Sequence, residues 1–168
     1  MSLILQISDF SAGRFKIPTT TFQESDLNDF ITKYENQYLV ELLGVELFNL
    51  FVADLVAGVP VDARFVAIFD AFNDQDDCFL CRSEGMKEMM KAFVYFHYVR
   101  DTYTRNTTNG VKQQKAENSI SLDAVSGDLT TRFNEGVNSY WCIQRRMCDD
   151  STLYPEFNGV NLEKTLFI

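Results

Sequence analysis

Stretches of apolar side chains recur along this chain at helical spacing, each bounded by a glycine, a proline or a polar break. That pattern constrains the fold more than any other feature. In the first stretch Leu27, Phe30, Ile31, Tyr34, Tyr38 and Leu42 fall on one stripe at about 100° per residue. Gly44 stands where a C′ glycine ends a helix. Thr21-Phe-Gln-Glu24 has the form of a capping box, and Ser25 is a competing N-cap.

The other helices follow from the same reasoning. Val45 to Ala57 is apolar over most of its circumference and is stopped by Gly58 and Pro60. Asp62 can cap a short third helix through Phe72, and Asn73-Asp-Gln-Asp-Asp77 then reads as a polar loop. Ser83 can cap a fourth helix running to about Tyr103, with Met86, Met89, Met90 and Phe93 on one face. From Phe93 to Val99 this helix is apolar nearly all round, as the central helix of a bundle would be. Thr104 to Gly110 is a break with a turn at Asn109-Gly110, and Val111 to Leu122 is a loop or short hairpin. Asp123 or Ser126 begins the fifth helix, whose stripe is Val125, Leu129, Phe133, Val137, Tyr140, Ile143 and Met147. The expected fold class is therefore all-α. It is a compact bundle of about five helices in one domain spanning 1–168, with a core at 21–150, a protruding loop at 104–122 and extended arms at 1–20 and 151–168.

Composition narrows the function classes. Apolar residues make up 46% of the 168, too many for a disordered chain and enough for a proper core. No apolar run approaches the ~20 residues that span a bilayer. The opening Met1-Ser-Leu-Ile-Leu-Gln-Ile-Ser-Asp9 is too short and polar for a signal peptide. The net charge of −9 argues against a dedicated nucleic-acid binder, which needs cations for phosphates. That charge is uneven: residues 21–90 carry 14 acids and 4 bases, whereas 91–148 carry 5 acids and 8 bases. Such a split is a common by-product of solvated faces. It would also suit an acidic surface of one copy meeting a basic surface of the next.

Catalytic and metal-binding chemistry finds little support. Cys78-Phe-Leu-Cys81 is a CxxC, but Cys142 and Cys148 would point about 120° apart on a helix and so do not complete a zinc site. A redox CxxC needs a βαβ context, and free thiols in a reducing cytoplasm are the default. His97, the sole histidine, lies on the apolar stripe with Met86, Met90 and Phe93, the setting of a core residue. Asp74, Asp76 and Asp77 resemble the start of a calcium loop without its glycine and closing glutamate. Phosphate-binding and nucleophile motifs are absent, and Asn106-Thr-Thr108 matches a glycosylation sequon with no accompanying sign of secretion. No catalytic residue, metal or cofactor is expected, and the chain reads as a non-enzyme.

What remains is surface chemistry. Arg14 and Lys16 near the start, Arg105, Lys112 and Lys115 in the central loop, and Arg145-Arg146 late in the fifth helix are the candidate contact cations. Tyr154, Phe157, Leu162, Leu166 and Phe167 give the tail apolar anchors, which either pack back on their own domain or dock on a neighbour.

In its order of elements the chain resembles the small helical head–tail connector (adaptor or head-completion) proteins of tailed bacteriophages. The likeness is carried by Phe30-Ile-Thr-Lys-Tyr-Glu-Asn-Gln-Tyr-Leu-Val-Glu-Leu-Leu-Gly44, by Lys91-Ala-Phe-Val-Tyr-Phe-His-Tyr-Val-Arg-Asp101 and by Thr107-Thr-Asn-Gly-Val-Lys112 ahead of a last long helix. It covers about residues 20–150. The resemblance implies a structural virion protein, made in the host bacterial cytoplasm. It would form a ring of identical subunits seated on the portal and joined to the next tail-side protein, with DNA only a transient contact in the channel. The competing reading is a monomeric helical protein–protein interaction module, such as a small regulator or anti-defence protein. An enzyme using His97 is a weaker third.

Overall fold

A computed structural model describes residues 2–17, 24–76, 79–107, 110–113 and 122–165. A 3-10 turn (Ile7–Phe10) is followed by α1 (Glu24–Leu43), α2 (Val45–Asp54), β1 (Leu55–Val56), β2 (Val59–Pro60) and α3 (Ala63–Phe69). Then come β3 (Phe72–Asp76), β4 (Phe79–Ser83), α4 (Met86–Tyr103), β5 (Thr104–Thr107), β6 (Gly110–Gln113) and α5 (Leu122–Asp149). The fold is mostly helical, but the all-α expectation is too strict. Among the described residues, three two-stranded antiparallel pairs, β1–β2, β3–β4 and β5–β6, fill the connections between helices.

The core lies where the stripes converge. α4 packs along α5, and α1 packs against α4. Leu27, Ile31, Leu39 and Leu42 of α1 are buried with Met90, Phe93 and Val94 of α4 and Val137, Tyr140 and Ile143 of α5. Aromatic rings knit the three helices together. Tyr38 lies 4.4 Å from Phe93, and Phe96 lies 4.5 Å from Phe133, centroid to centroid. Close approach of α4 to α5 requires Gly136, where an added Cβ would stand 2.9 Å from the Phe93 ring and 3.2 Å from Ala92.

Several local expectations are corrected. The second helix stops at Asp54, before the expected Ala57. A tight β1–β2 turn through Ala57 and Gly58, both at positive φ, takes over. The Asp54 carboxylate closes the far side by accepting the N–H groups of Val61 (2.7 Å) and Asp62 (2.9 Å). Asp62 does cap α3, accepting from the Arg64 N–H, but α3 ends at Phe69. The polar stretch after it is strand β3, whose Phe72 pairs with Ser83 and whose Asp74 pairs with Cys81. Ser83 thus ends β4 and does not cap the fourth helix. Its Oγ accepts from the Gly85 N–H (3.2 Å), and α4 starts one residue later. After α4 the stretch read as a break is itself strand: β5 and β6 pair with Thr107 opposite Gly110, so the hairpin lies at 104–113 and not within 111–122, of which 114–121 lie outside the described residues.

Residues 2–17 do not stand off as an arm. Ile4, Leu5, Phe10, Phe15 and Ile17 are buried against the bundle, a cover that exposure would make costly. Their anchor is Glu35, fully buried on α1. Its carboxylate accepts the N–H groups of Leu3, Ile4 (2.7 Å) and Leu5 (2.8 Å). Burial raises the Glu35 pKa, and the three N–H bonds oppose that rise.

The thiol expectation is overturned as well. Cys81 of β4 and Cys142 of α5 form a disulfide, with their Cα atoms 5.5 Å apart, because the β3–β4 hairpin lies against α5. Cys148 is free and exposed. Cys78 lies outside the described residues.

Candidate interaction surfaces

The sequence singled out twelve contact residues, and the structure spends several of them inside the subunit. Arg14 pairs with Glu135 of α5 and, at 3.7 Å, with Glu84, while Arg132 donates to its carbonyl oxygen. It therefore ties the N-terminal segment to the bundle. Arg146 lies 3.5 Å above the Phe72 ring, binds both carboxylate oxygens of Asp74 and donates to the Ala67 carbonyl. Arg145 pairs with Asp149 one turn on, at 3.5 Å. Lys16 is exposed. Arg105 and Lys112 occupy opposing register positions of β5–β6, so this hairpin sets two basic residues across from each other. Lys115, Leu166 and Phe167 lie outside the described residues.

The tail packs back on its own domain as far as Thr165. Tyr154 is buried and donates to the Arg64 carbonyl at 2.6 Å; burial raises its pKa. Beyond it the backbone satisfies the carbonyls that every helix end leaves open. Asn158 N–H donates to the Leu43 carbonyl (3.4 Å) and Val160 N–H to that of Glu41 (2.6 Å). The Gln144 amide donates to the Leu42 carbonyl (3.3 Å) and to that of Val160 (3.1 Å). Tyr140 and Trp141 on α5 then hold the carbonyls of Val160 and Leu162, the latter at 2.7 Å. Asn134 holds Thr165 at both its N–H and its C=O. Gly159 makes this crossing possible, since an added Cβ would stand 2.1 Å from the Leu42 carbonyl oxygen.

Between tail and α5 runs a groove of about 670 Å³ whose walls include Trp141, Arg145, Phe157 and Leu162. Phe157 and Arg145 meet here, and Lys164 lies 4.9 Å over the Trp141 ring. Trp141, Gln144 and Asn134 were not among the expected residues. Trp141 had the one available cue, as the sole tryptophan on a helix otherwise striped with smaller groups.

A second surface was missed altogether. Val45 and Leu50 on α2, Val56 and Val59 on β1–β2, and Val61 just after are 41–66% exposed. They escaped notice because a helix apolar on most sides reads as covered on all of them.

His97 is half-buried in an aromatic box. Its ring lies flat on Tyr34, its Nε2 shares a hydrogen bond with the Tyr38 hydroxyl (2.7 Å), and Phe96 meets it edge-on. Its Nδ1 has no partner among the described residues, and burial lowers its pKa to about 4. That keeps the ring neutral, with its one bonded nitrogen held by a tyrosine.

β5–β6 follows directly on α4 and, among the described elements, has its main helix contact with that helix. Compared with family models, with curated proteins and with solved structures, the chain matches none of them.

Proposed function

We propose that this chain is a structural subunit of a phage head–tail connector. It would assemble as a ring of identical copies on the portal and hand on to a tail-side protein. The observation that carries this reading is the β5–β6 hairpin, which follows directly on α4 and sets Arg105 opposite Lys112. A helix ending in a hairpin offers a partner an arm, and the bundle behind it supplies the rigid wall of a ring. The unpartnered apolar residues of α2 and β1–β2 add a face for a neighbouring copy.

Charge supports the reading in a different way from the one the sequence suggested. Arg14, Arg64, Lys87, Lys91, Arg100, Arg132, Arg145 and Arg146 all pair with carboxylates of their own subunit. A chain of net −9 whose cations are used this way presents a surface dominated by acids. Such a wall repels DNA phosphates and lets a duplex slide.

The same ion pairs, with the folded-back tail and N-terminal segment, favour a second reading. A subunit that satisfies its own ends is built to stand alone, as a monomeric interaction module would. Mass photometry separates the two. The connector reading expects rings in mixtures with a cognate portal, and loss of those rings when 105–112 is replaced by a two-residue turn. A monomer at high concentration that ignores the portal overturns it.

A further inference from the structure

The Cys81–Cys142 bond joins a hairpin to the longest helix, and although its two residues are only 5% and 7% exposed, it forms part of the floor of a surface basin. Both cysteines line a basin of about 330 Å³ together with Asp74, Gln75, Arg145, Arg146 and Asp149. Arg145 and Arg146 follow Cys142 by three and four positions on α5, so both stand one helical turn along the same face and line the same basin, where they pair with Asp149 and Asp74. Cations beside a sulfur favour thiolate over thiol and make that sulfur the better leaving group. Cys148 lines the tail groove on another side of α5, so it is not poised to intercept this pair. Besides the disulfide, β3–β4 is held to α5 by the packing of β4 along that helix and by Arg146 on Asp74 and Phe72.

We infer that Cys81–Cys142 is a reversible thiol–disulfide exchange site, reached through this basin by a low-molecular-weight thiol of the glutathione class, and that it latches the β3–β4 hairpin to α5. In the opening direction a small thiolate attacks the Cys81 sulfur. The Cys81–Cys142 bond breaks, Cys142 leaves as a thiolate beside the guanidiniums, and a mixed disulfide remains on Cys81. A second small thiolate attacks the small-molecule sulfur of that mixed disulfide, releasing the oxidised dimer of the small thiol and a Cys81 thiolate. Two electrons pass from two small thiols to the protein disulfide. Closing runs the same steps in reverse with the oxidised dimer as the oxidant.

The test uses the full chain carrying Cys78→Ser and Cys148→Ser, so that the other thiols cannot compete. It is equilibrated with reduced and oxidised glutathione in varied ratio, alkylated and mapped by mass spectrometry. Hydrogen exchange is followed on the same samples. The expected result is an 81–142 cross-link that forms and opens reversibly. Adding Cys142→Ser should trap a glutathione adduct on Cys81. Reduction should raise exchange in residues 72–83 by at least about tenfold while α4 and the rest of α5 keep their protection. Absence of the cross-link at every ratio, or a cross-link that glutathione cannot open in the folded protein, would overturn the exchange site. Unchanged exchange in 72–83 on reduction would overturn the latch. Comparing oxidised and reduced forms of one chain keeps the result readable even if a serine variant folds poorly.

Discussion

The ring of His97 stacks on that of Tyr34 with centroids 3.8 Å apart and planes only 5° from parallel. Protonation would place a charge in that box, and Arg100 and Lys33, themselves cations, push the same way. Asp101 opposes them, but desolvation is the larger influence, and the folded-state pKa falls to about 4 from 6.5. A base whose pKa is lower in the folded state contributes stability that is complete above pH 6.5 and drains away as pH falls towards 4. His97→Phe should therefore flatten the stability profile across that window. The difference should be about 1–2 kcal/mol, less than the full shift because the ring is only partly buried. Urea titrations of both proteins at pH 7, 5.5 and 4.5 give the comparison, and parallel profiles would refute the assignment.

Glu35 works in the opposite sense. Its pKa is raised, so its ionised form costs stability at neutral pH, and acidification towards the ordinary 4.5 relieves that cost. Removing the carboxylate is nevertheless harmful, because three N–H groups of Leu3, Ile4 and Leu5 lose their acceptor. Glu35→Ala should cost about 2–4 kcal/mol and release residues 2–17 to protease while the α4–α5 contact persists. Limited proteolysis with N-terminal sequencing of the fragments reads this directly.

Glu35 also shows how much the sequence held and where it fell short. The α1, α4 and α5 stripes were legible because helical period reports which face is buried. Glu35 sits on that stripe, four residues after Ile31 and eight after Leu27, yet it went unremarked because the stripe was traced through its apolar members alone. Its partners were not legible either, since backbone N–H groups leave no trace in composition. The β3–β4 hairpin was illegible for another reason. Asn73, Asp74 and Gln75 have poor strand propensity, and the pairing is held in place by contacts from α5, seventy residues away. The disulfide was missed because the compartment argument concerns surroundings and not geometry. The tail's course was undecided because its anchors are backbone carbonyls of α1, invisible to any pattern of side chains.

Arg146 makes a prediction about that hairpin. A lysine keeps the charge but loses the planar fork on Asp74 and the flat stack on Phe72. Arg146→Lys should cost about 1–2 kcal/mol, discounted because Asp74 is half-exposed. A double-mutant cycle with Asp74→Asn should return a coupling of about 1 kcal/mol. Additive effects would mean that the pair is incidental.

Gly159 tests whether the tail is truly part of the subunit. The backbone there passes so near Leu42 that any side chain must push it off α1. Gly159→Ala should detach the chain from about residue 158 onward, breaking the bonds of Val160 to Glu41 and of Leu162 to Trp141. The bundle core should survive, since α1, α4 and α5 do not depend on those bonds for their packing. The expected loss is about 1–3 kcal/mol, the range for forcing an oversized group into a packed contact. Trp141 provides the readout, because it is the sole tryptophan and is 41% exposed even with the tail docked. Losing the Leu162 carbonyl and the Lys164 cation from its ring should shift its emission to the red, and a matching shift from truncation at Asn158 would identify the same event. If Gly159→Ala leaves the emission and the hydrogen exchange of 158–165 unchanged, the tail does not rest on α1 in solution.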